Sequence, residues 1–180
     1  MRVTAVLSLA CVLAVAGCGG GGTDQGTTPP AGQTAGAGGP QLETRWLRGL
    51  WDSDIRKVLP KERITCEGPK KEGLSTVWGC EWGTPLNSYK VRYYGAAPGK
   101  IEYIIATVTQ ADQPKDDRVL PLFTDLAGLH FEGAEPAKAR EWIRTTLAGG
   151  GNTAFGAARF KLAGDVVKRT LEIKASGSEW

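Results

Sequence analysis

The stretch that decides the fold is residues 89–110, YKVRYYGAAPGKIEYIIATVTQ. Two runs rich in β-branched and aromatic residues, Tyr89–Tyr94 and Lys100–Gln110, flank Gly95-Ala96-Ala97-Pro98-Gly99, and this composition predicts a hairpin. Side chains alternate across a strand. Ile101, Tyr103, Ile105 and Thr107 therefore share one face, and Ile104, Ala106 and Val108 the other. Apolar residues on both faces predict a central strand covered on both sides.

Working outward, Arg63–Glu67 and Ser75–Trp82 read as strands around a polar turn holding Gly68, Pro69, Lys70, Lys71 and Gly73. A further hairpin is expected from Ala154–Leu162 and Val166–Ala175, turning at Gly164-Asp165. Helices are expected in three places. Leu47, Leu50, Trp51, Ile55, Val58 and Leu59 fall at i, i+3, i+4, i+8, i+11 and i+12, a stripe predicting a helix over 43–59 that Pro60 stops. Leu120–Leu129 is apolar and short, with Pro121 tolerated in the first turn. Pro136 opens the clearest helix, Ala139, Trp142, Ile143, Thr146 and Leu147 form its apolar face, and Gly149-Gly150-Gly151 ends it.

These elements predict an α+β domain: an antiparallel sheet of about five or six strands, helices packed mainly on one face, and one disulfide. Tyr89-Lys90-Val91-Arg92-Tyr93-Tyr94 and Ala158-Arg159-Phe160-Lys161-Leu162 each precede a Gly-containing turn and a longer strand, and each hairpin follows a helix. That likeness suggests an internal α-then-β duplication, although sheet alternation alone also produces it.

The chain of 180 residues carries 22 basic and 19 acidic residues, a formal net charge of +3, with signs interspersed. Nucleic-acid binders concentrate basic residues in a stripe. Here Lys70-Lys71 and Lys168-Arg169 are isolated doublets, so no nucleic-acid partner is expected.

The N-terminus reads as a targeting segment. Arg2 supplies the positive charge, and Val3–Ala16 is apolar but shorter than the roughly 20 residues a spanning helix needs. The run ends on Val15-Ala16-Gly17-Cys18, which resembles the lipobox of bacterial lipoproteins. The resemblance implies cleavage before Cys18 and attachment of a diacylglyceryl group to its thiol. Residues 1–17 are then the signal, and Cys18 is the lipidation site of an extracytoplasmic protein held at the cell membrane. Two acyl chains meet the requirement for stable anchoring, which one chain does not.

Residues 18–40 hold that cysteine and a Gly/Thr/Ala/Pro/Gln block with Asp24 as its only charge. Such a block cannot bury enough apolar surface to offset its ordering entropy, and it is expected to act as a tether spanning about 25 Å. Residues 41–180 are expected to form a single globular domain. Its general layout and Gly/Ala/Arg-rich composition resemble small secreted lipoproteins of actinobacterial type, and that likeness implies no site.

In an exported protein Cys66 and Cys80, flanking a turn, read as a disulfide. Its closed loop of about 15 residues is worth about 3 kcal/mol in the chain-entropy account. A metal pair would want more soft ligands, and a redox pair is usually spaced Cys-x-x-Cys. Trp78, Cys80 and Trp82 alternate and so share a face. Two readings stay open for the indoles: packing around the disulfide, or a ligand platform for a sugar ring or peptidoglycan fragment.

No catalytic constellation is read. His130 is the sole histidine, and none of the serines sits in a Gly-x-Ser-x-Gly elbow. Asp112, Asp116 and Asp117 are interrupted by Lys115 and lack calcium-loop spacing. Gly149-Gly150-Gly151 follows a helix, where the dipole disfavours anions, so neither a metal nor a cofactor is expected. The expected function is a non-enzymatic binding module at the envelope with a protein, cell-wall or lipid partner. The alternatives are an envelope hydrolase using unmarked carboxylates or His130, or a small-molecule or lipid carrier.

Overall fold

The structure, a computed structural model, describes residues 45–111 and 118–178. All of them belong to one compact unit, Ala37–Trp180. The expected signal, lipobox and tether, and the aspartates at 112, 116 and 117, lie outside the described residues.

Ten elements follow in order: α1 (Asp52–Lys57), β1 (Thr65–Glu72), β2 (Ser75–Gly83), β3 (Asn87–Ala97), β4 (Lys100–Gln110), α2 (Val119–Ala127), α3 (Pro136–Thr146), β5 (Gly151–Phe155), β6 (Ala158–Gly164) and β7 (Lys168–Ala175). The strands form one antiparallel sheet in the order β1-β2-β3-β4-β7-β6-β5. Two meanders, β1 to β4 and β5 to β7, thus meet along the β4–β7 pair. The two strands that look alike in sequence, β3 and β6, hold equivalent places one step out from that pair.

The expected five or six strands become seven. Ala154–Leu162 is not one strand but folds back at Gly156-Ala157, with Phe155 opposite Ala158. Gly156 has φ +54°, and a Cβ there would lie 1.9 Å from the carbonyl oxygen of Gly133. Only glycine fits this first turn position. The β3–β4 loop also tightens, because pairing continues to Ala97 and Lys100 and leaves only Pro98-Gly99 as the turn. Strand β1 likewise runs on through Gly68-Pro69, where the register shifts between Glu67 and Lys70.

The helix expected over 43–59 shrinks to α1. Gly49 takes φ +78°, which breaks the helical path, and the Leu47 amide donates instead to the Ile101 carbonyl of β4 at 2.8 Å. Leu47 and Leu50 still reach the core from this irregular segment. The other two helices lie close to their expected bounds. Proline sits at the start of α3, and Gly150, with φ +68°, donates to the Thr146 carbonyl at its end. Arg169, of the isolated Lys168-Arg169 doublet, donates to the Leu147 carbonyl just beyond α3.

One hydrophobic cluster joins Leu47, Ile55, Phe123 and Ile143 to Trp78, Cys80, Tyr93, Ile104, Ala106, Phe160, Leu171 and Ile173. These strand residues occupy alternate positions, so one face of the sheet carries the core. The expectation that β4 is covered on both sides is corrected accordingly: β4 is central, but Tyr103, Ile105, Thr107 and Thr109 stay only half-buried. The face they share carries cross-strand pairs. Tyr94 stacks on Tyr103 at 4.3 Å, Arg92 lies over Tyr94, and Lys174 lies over Tyr103. Glu81 meets Lys90 at 3.1 Å, and Glu72 meets Arg92 at 2.6 Å. An antiparallel sheet tolerates water on such a face.

Three carboxylates hold local structure and are held below the usual range. Lys57 and the Trp51 amide do this for Asp54, Lys70 for Glu67, and the Lys168 and Val167 amides for Asp165, which closes the β6–β7 turn at 3.0 and 2.8 Å. A carboxyl with a lowered folded pKa stabilises the fold above its unfolded pKa of about 4, and that support is lost as pH falls through the folded value. The melting temperature is therefore expected to decline below about pH 4. Asp54→Asn with Asp165→Asn should flatten the decline, and an unchanged acid limb would assign it to other groups.

Candidate functional site

The site grows from two consecutive cross-strand aromatic pairs. In the β2–β3 register Trp78 faces Tyr93 and Trp82 faces Tyr89, with Cys80 opposite Val91 between them. Both pairs stack nearly parallel, with ring centroids 5.6 Å and 5.2 Å apart. Cys80 also faces Cys66 of β1, and the two form the expected disulfide.

The two tryptophans of the expected platform have different fates. Trp78 is 2% exposed and lies in the core cluster, so its ring has no surface to offer a ligand. Trp82 is only partly buried and borders open space beyond the end of α1. Their tyrosine partners differ in the same sense. Tyr93 is buried, but its hydroxyl accepts from Arg56 Nε at 3.2 Å. Burial pushes the Tyr93 phenol up in pKa, and the hydrogen bond to Tyr93 raises the Arg56 guanidinium. Tyr89 is 1% exposed, and its hydroxyl is buried without a hydrogen-bond partner.

Two cavities share Pro60, Trp82, Tyr89 and Arg118 and so form one groove. One end, of about 260 Å³, is apolar: Val58, Leu59 and Pro60 from the end of α1 face Pro121 and Leu122 of α2, with Asp125 on the rim. The other end, of about 450 Å³, is mixed: it adds the polar side chains of Glu62, Arg63, Thr84 and Asn87, with Gly83, to the shared walls, and is the more polar of the two. Arg118 lies over the Tyr89 ring at 5.4 Å. The β2–β3 connection shapes the polar end. Thr84 and Asn87 exchange hydrogen bonds, amide to carbonyl at 2.8 Å and amide to Oγ1 at 3.1 Å. Gly83 has φ +107°, and a Cβ there would sit 2.1 Å from the Asn87 carbonyl oxygen, so this hairpin needs glycine.

Two details mark the groove lining. Arg63 has φ +56°, and it is the one described non-glycine residue on the left-handed side of the backbone map. Such residues cost free energy and gather at ligand sites. Asn87 Oδ1, like the Tyr89 hydroxyl, is a buried polar atom without a partner, a condition costing about 1–3 kcal/mol.

The remaining candidates stand apart from this groove. His130 is exposed on the loop after α2. On the open face of the sheet, a shallow depression of about 330 Å³ over Gly79 is lined by Glu67, Glu72 and Glu81, and each carboxylate is engaged by Lys70, Arg92 or Lys90. Those pairs are exposed, and a surface pair is worth little to stability. Among the described residues there is no group of three or more His, Cys, Asp or Glu side chains placed to hold a metal ion, and no helix long and apolar enough to cross a membrane.

Sequence reasoning found Trp82 and missed its neighbours. Tyr89 was within reach, because its alternation with Val91 and Tyr93 puts it on the core face. Arg63, Asn87 and the adjacent Pro121 and Leu122 come from three separate segments and carry no local signal. No protein-family model, curated protein or solved structure matches the chain.

Proposed function

We propose that the chain is a lipid-anchored, extracytoplasmic binding module of the cell envelope, acting without catalysis, and that its ligand sits in the Trp82 groove. The observation that carries this reading is the groove itself: a partly exposed aromatic ring on a fixed sheet, between an apolar end and a more polar end that holds Glu62, Arg63, Thr84 and Asn87. Ligand sites have this make-up of apolar walls and a few placed polar groups. The lipobox supports the address, since Cys18 lipidation would confine the domain near the membrane and raise its effective concentration toward envelope partners.

The carrier reading is the second one. The apolar end between Val58, Leu59, Pro121 and Leu122 favours it, because a transported lipid or small molecule needs such a recess.

Two measurements test the proposal. Cys18→Ala is expected to abolish acyl labelling and leave the signal uncleaved; a cleaved, unlabelled chain still retained at the membrane would defeat the anchor. An envelope extract is expected to raise the melting temperature of the wild-type chain and not that of Trp82→Ala. Equal shifts in both would move the site away from the groove.

A further inference from the structure

The groove also carries information about what fills it. Among the described lining residues the charges balance: Glu62 and Arg63 line the more polar end, Asp125 borders the apolar end, and Arg118 lines both. A carboxylate or phosphate head would meet Glu62 and Asp125 as well as the arginines, and a cationic head would meet the arginines as well as the acids. Either pays for its desolvation without a matching field. A head bearing several hydroxyls has no such conflict, because each hydroxyl both donates and accepts. It can donate to Glu62 and accept from Arg63, with Thr84 and Asn87 offering a hydroxyl and an amide beside them. Trp82 lies where the two ends join, and an aromatic ring there presents apolar surface to the C–H face of a sugar as readily as to a chain.

From this balance, and resting on the reading that the groove is the binding site, we infer that the occupant is a neutral amphiphile of the glycoside type: a hydroxylated head at Arg63 and Asn87, joined to an apolar chain or ring between Leu59, Pro121 and Leu122. Joined, the two overlapping cavities, about 260 and 450 Å³, make a groove within the size range of small-molecule sites. Arg63 then gives its strained backbone a use, since φ +56° is where the groove lining holds it.

The test uses octyl β-glucoside below its micellar concentration, titrated into the full chain and followed by calorimetry and by the indole N–H signal of Trp82. Saturable binding is expected, with glucose, octyl sulfate and octyltrimethylammonium each at least tenfold weaker. Trp82→Ala should weaken octyl glucoside at least tenfold. Arg63→Gly suits the left-handed backbone, so it should raise the melting temperature while weakening the glucoside at least tenfold. That pairing is one a merely structural role would not produce. Equal affinity for the three octyl heads, no saturable binding, or unaltered affinity in Arg63→Gly overturns the inference. If octyl glucoside fails while the envelope extract still stabilises wild type and not Trp82→Ala, the groove remains the binding site and only this ligand class falls. If both fail, the groove reading falls too.

Discussion

Trp78→Ala is expected to destabilise the domain by about 3–5 kcal/mol, the range for truncating a buried aromatic residue. Its indole is almost fully enclosed and stacked on Tyr93, in one cluster with Cys80, Val91 and Ile104. Deletion therefore removes apolar burial, leaves a cavity and strips Tyr93 of its partner. Trp82→Ala keeps the same chemistry but starts from a partly exposed ring, so a cost of about 1 kcal/mol is expected, near the centre of the range for single substitutions. The comparison is made by the urea midpoint at constant slope. Equal costs for the two substitutions would show that the division between a core tryptophan and a groove tryptophan is wrong.

Removing the Cys66–Cys80 disulfide, with both residues changed to alanine, is expected to cost about 3 kcal/mol for a loop of this length. For a domain of this size that lowers the melting temperature by roughly 10 °C. The loss should be local first. Strand β1 is an edge strand, all of its residues except Cys66 are exposed, and Cys66 is its one member packed against the core. Without the bond, β1 keeps its ladder to β2 and little else. Amide hydrogen exchange should therefore rise across Thr65–Glu72 before the rest of the sheet responds. Uniform exchange over the whole domain would show that β1 is held by something other than the disulfide.

How much of this was legible in the sequence varies with how local the governing physics is. Helix α3 is readable because Pro136, an apolar stripe and a run of glycines all lie within its own span. The 43–59 stripe misleads because burial is what it records. Leu47, Leu50 and Ile55 are fully buried, yet Gly49 breaks the helix, and Trp51 turns outward to lie 3.3 Å from the Cβ position of Gly99. The seventh strand was hidden because Gly156-Ala157 is a turn of two residues inside an otherwise strand-like run. At the site, alternation correctly put Trp78 and Trp82 on one face. It is silent on where along β2 the covering elements stop, and that boundary separates a core residue from a ligand-facing one. The groove partners are joined by tertiary contact alone.

The seam between the two meanders also bears on how the chain reaches this state. Every other pairing in the sheet joins strands consecutive in the chain through connections of two or three residues. The β4–β7 ladder instead brings together Tyr103 and Lys174, about seventy residues apart, and such non-local pairing slows folding because loop closure precedes its reward. Each half can zip from its own turns, so the late event is the docking of one half on the other. Substitutions in the outer strands, whose contacts are already made when the halves dock, should then act mainly on the folding rate, and those along the seam, such as Ala106 or Leu171, should shift toward the unfolding rate.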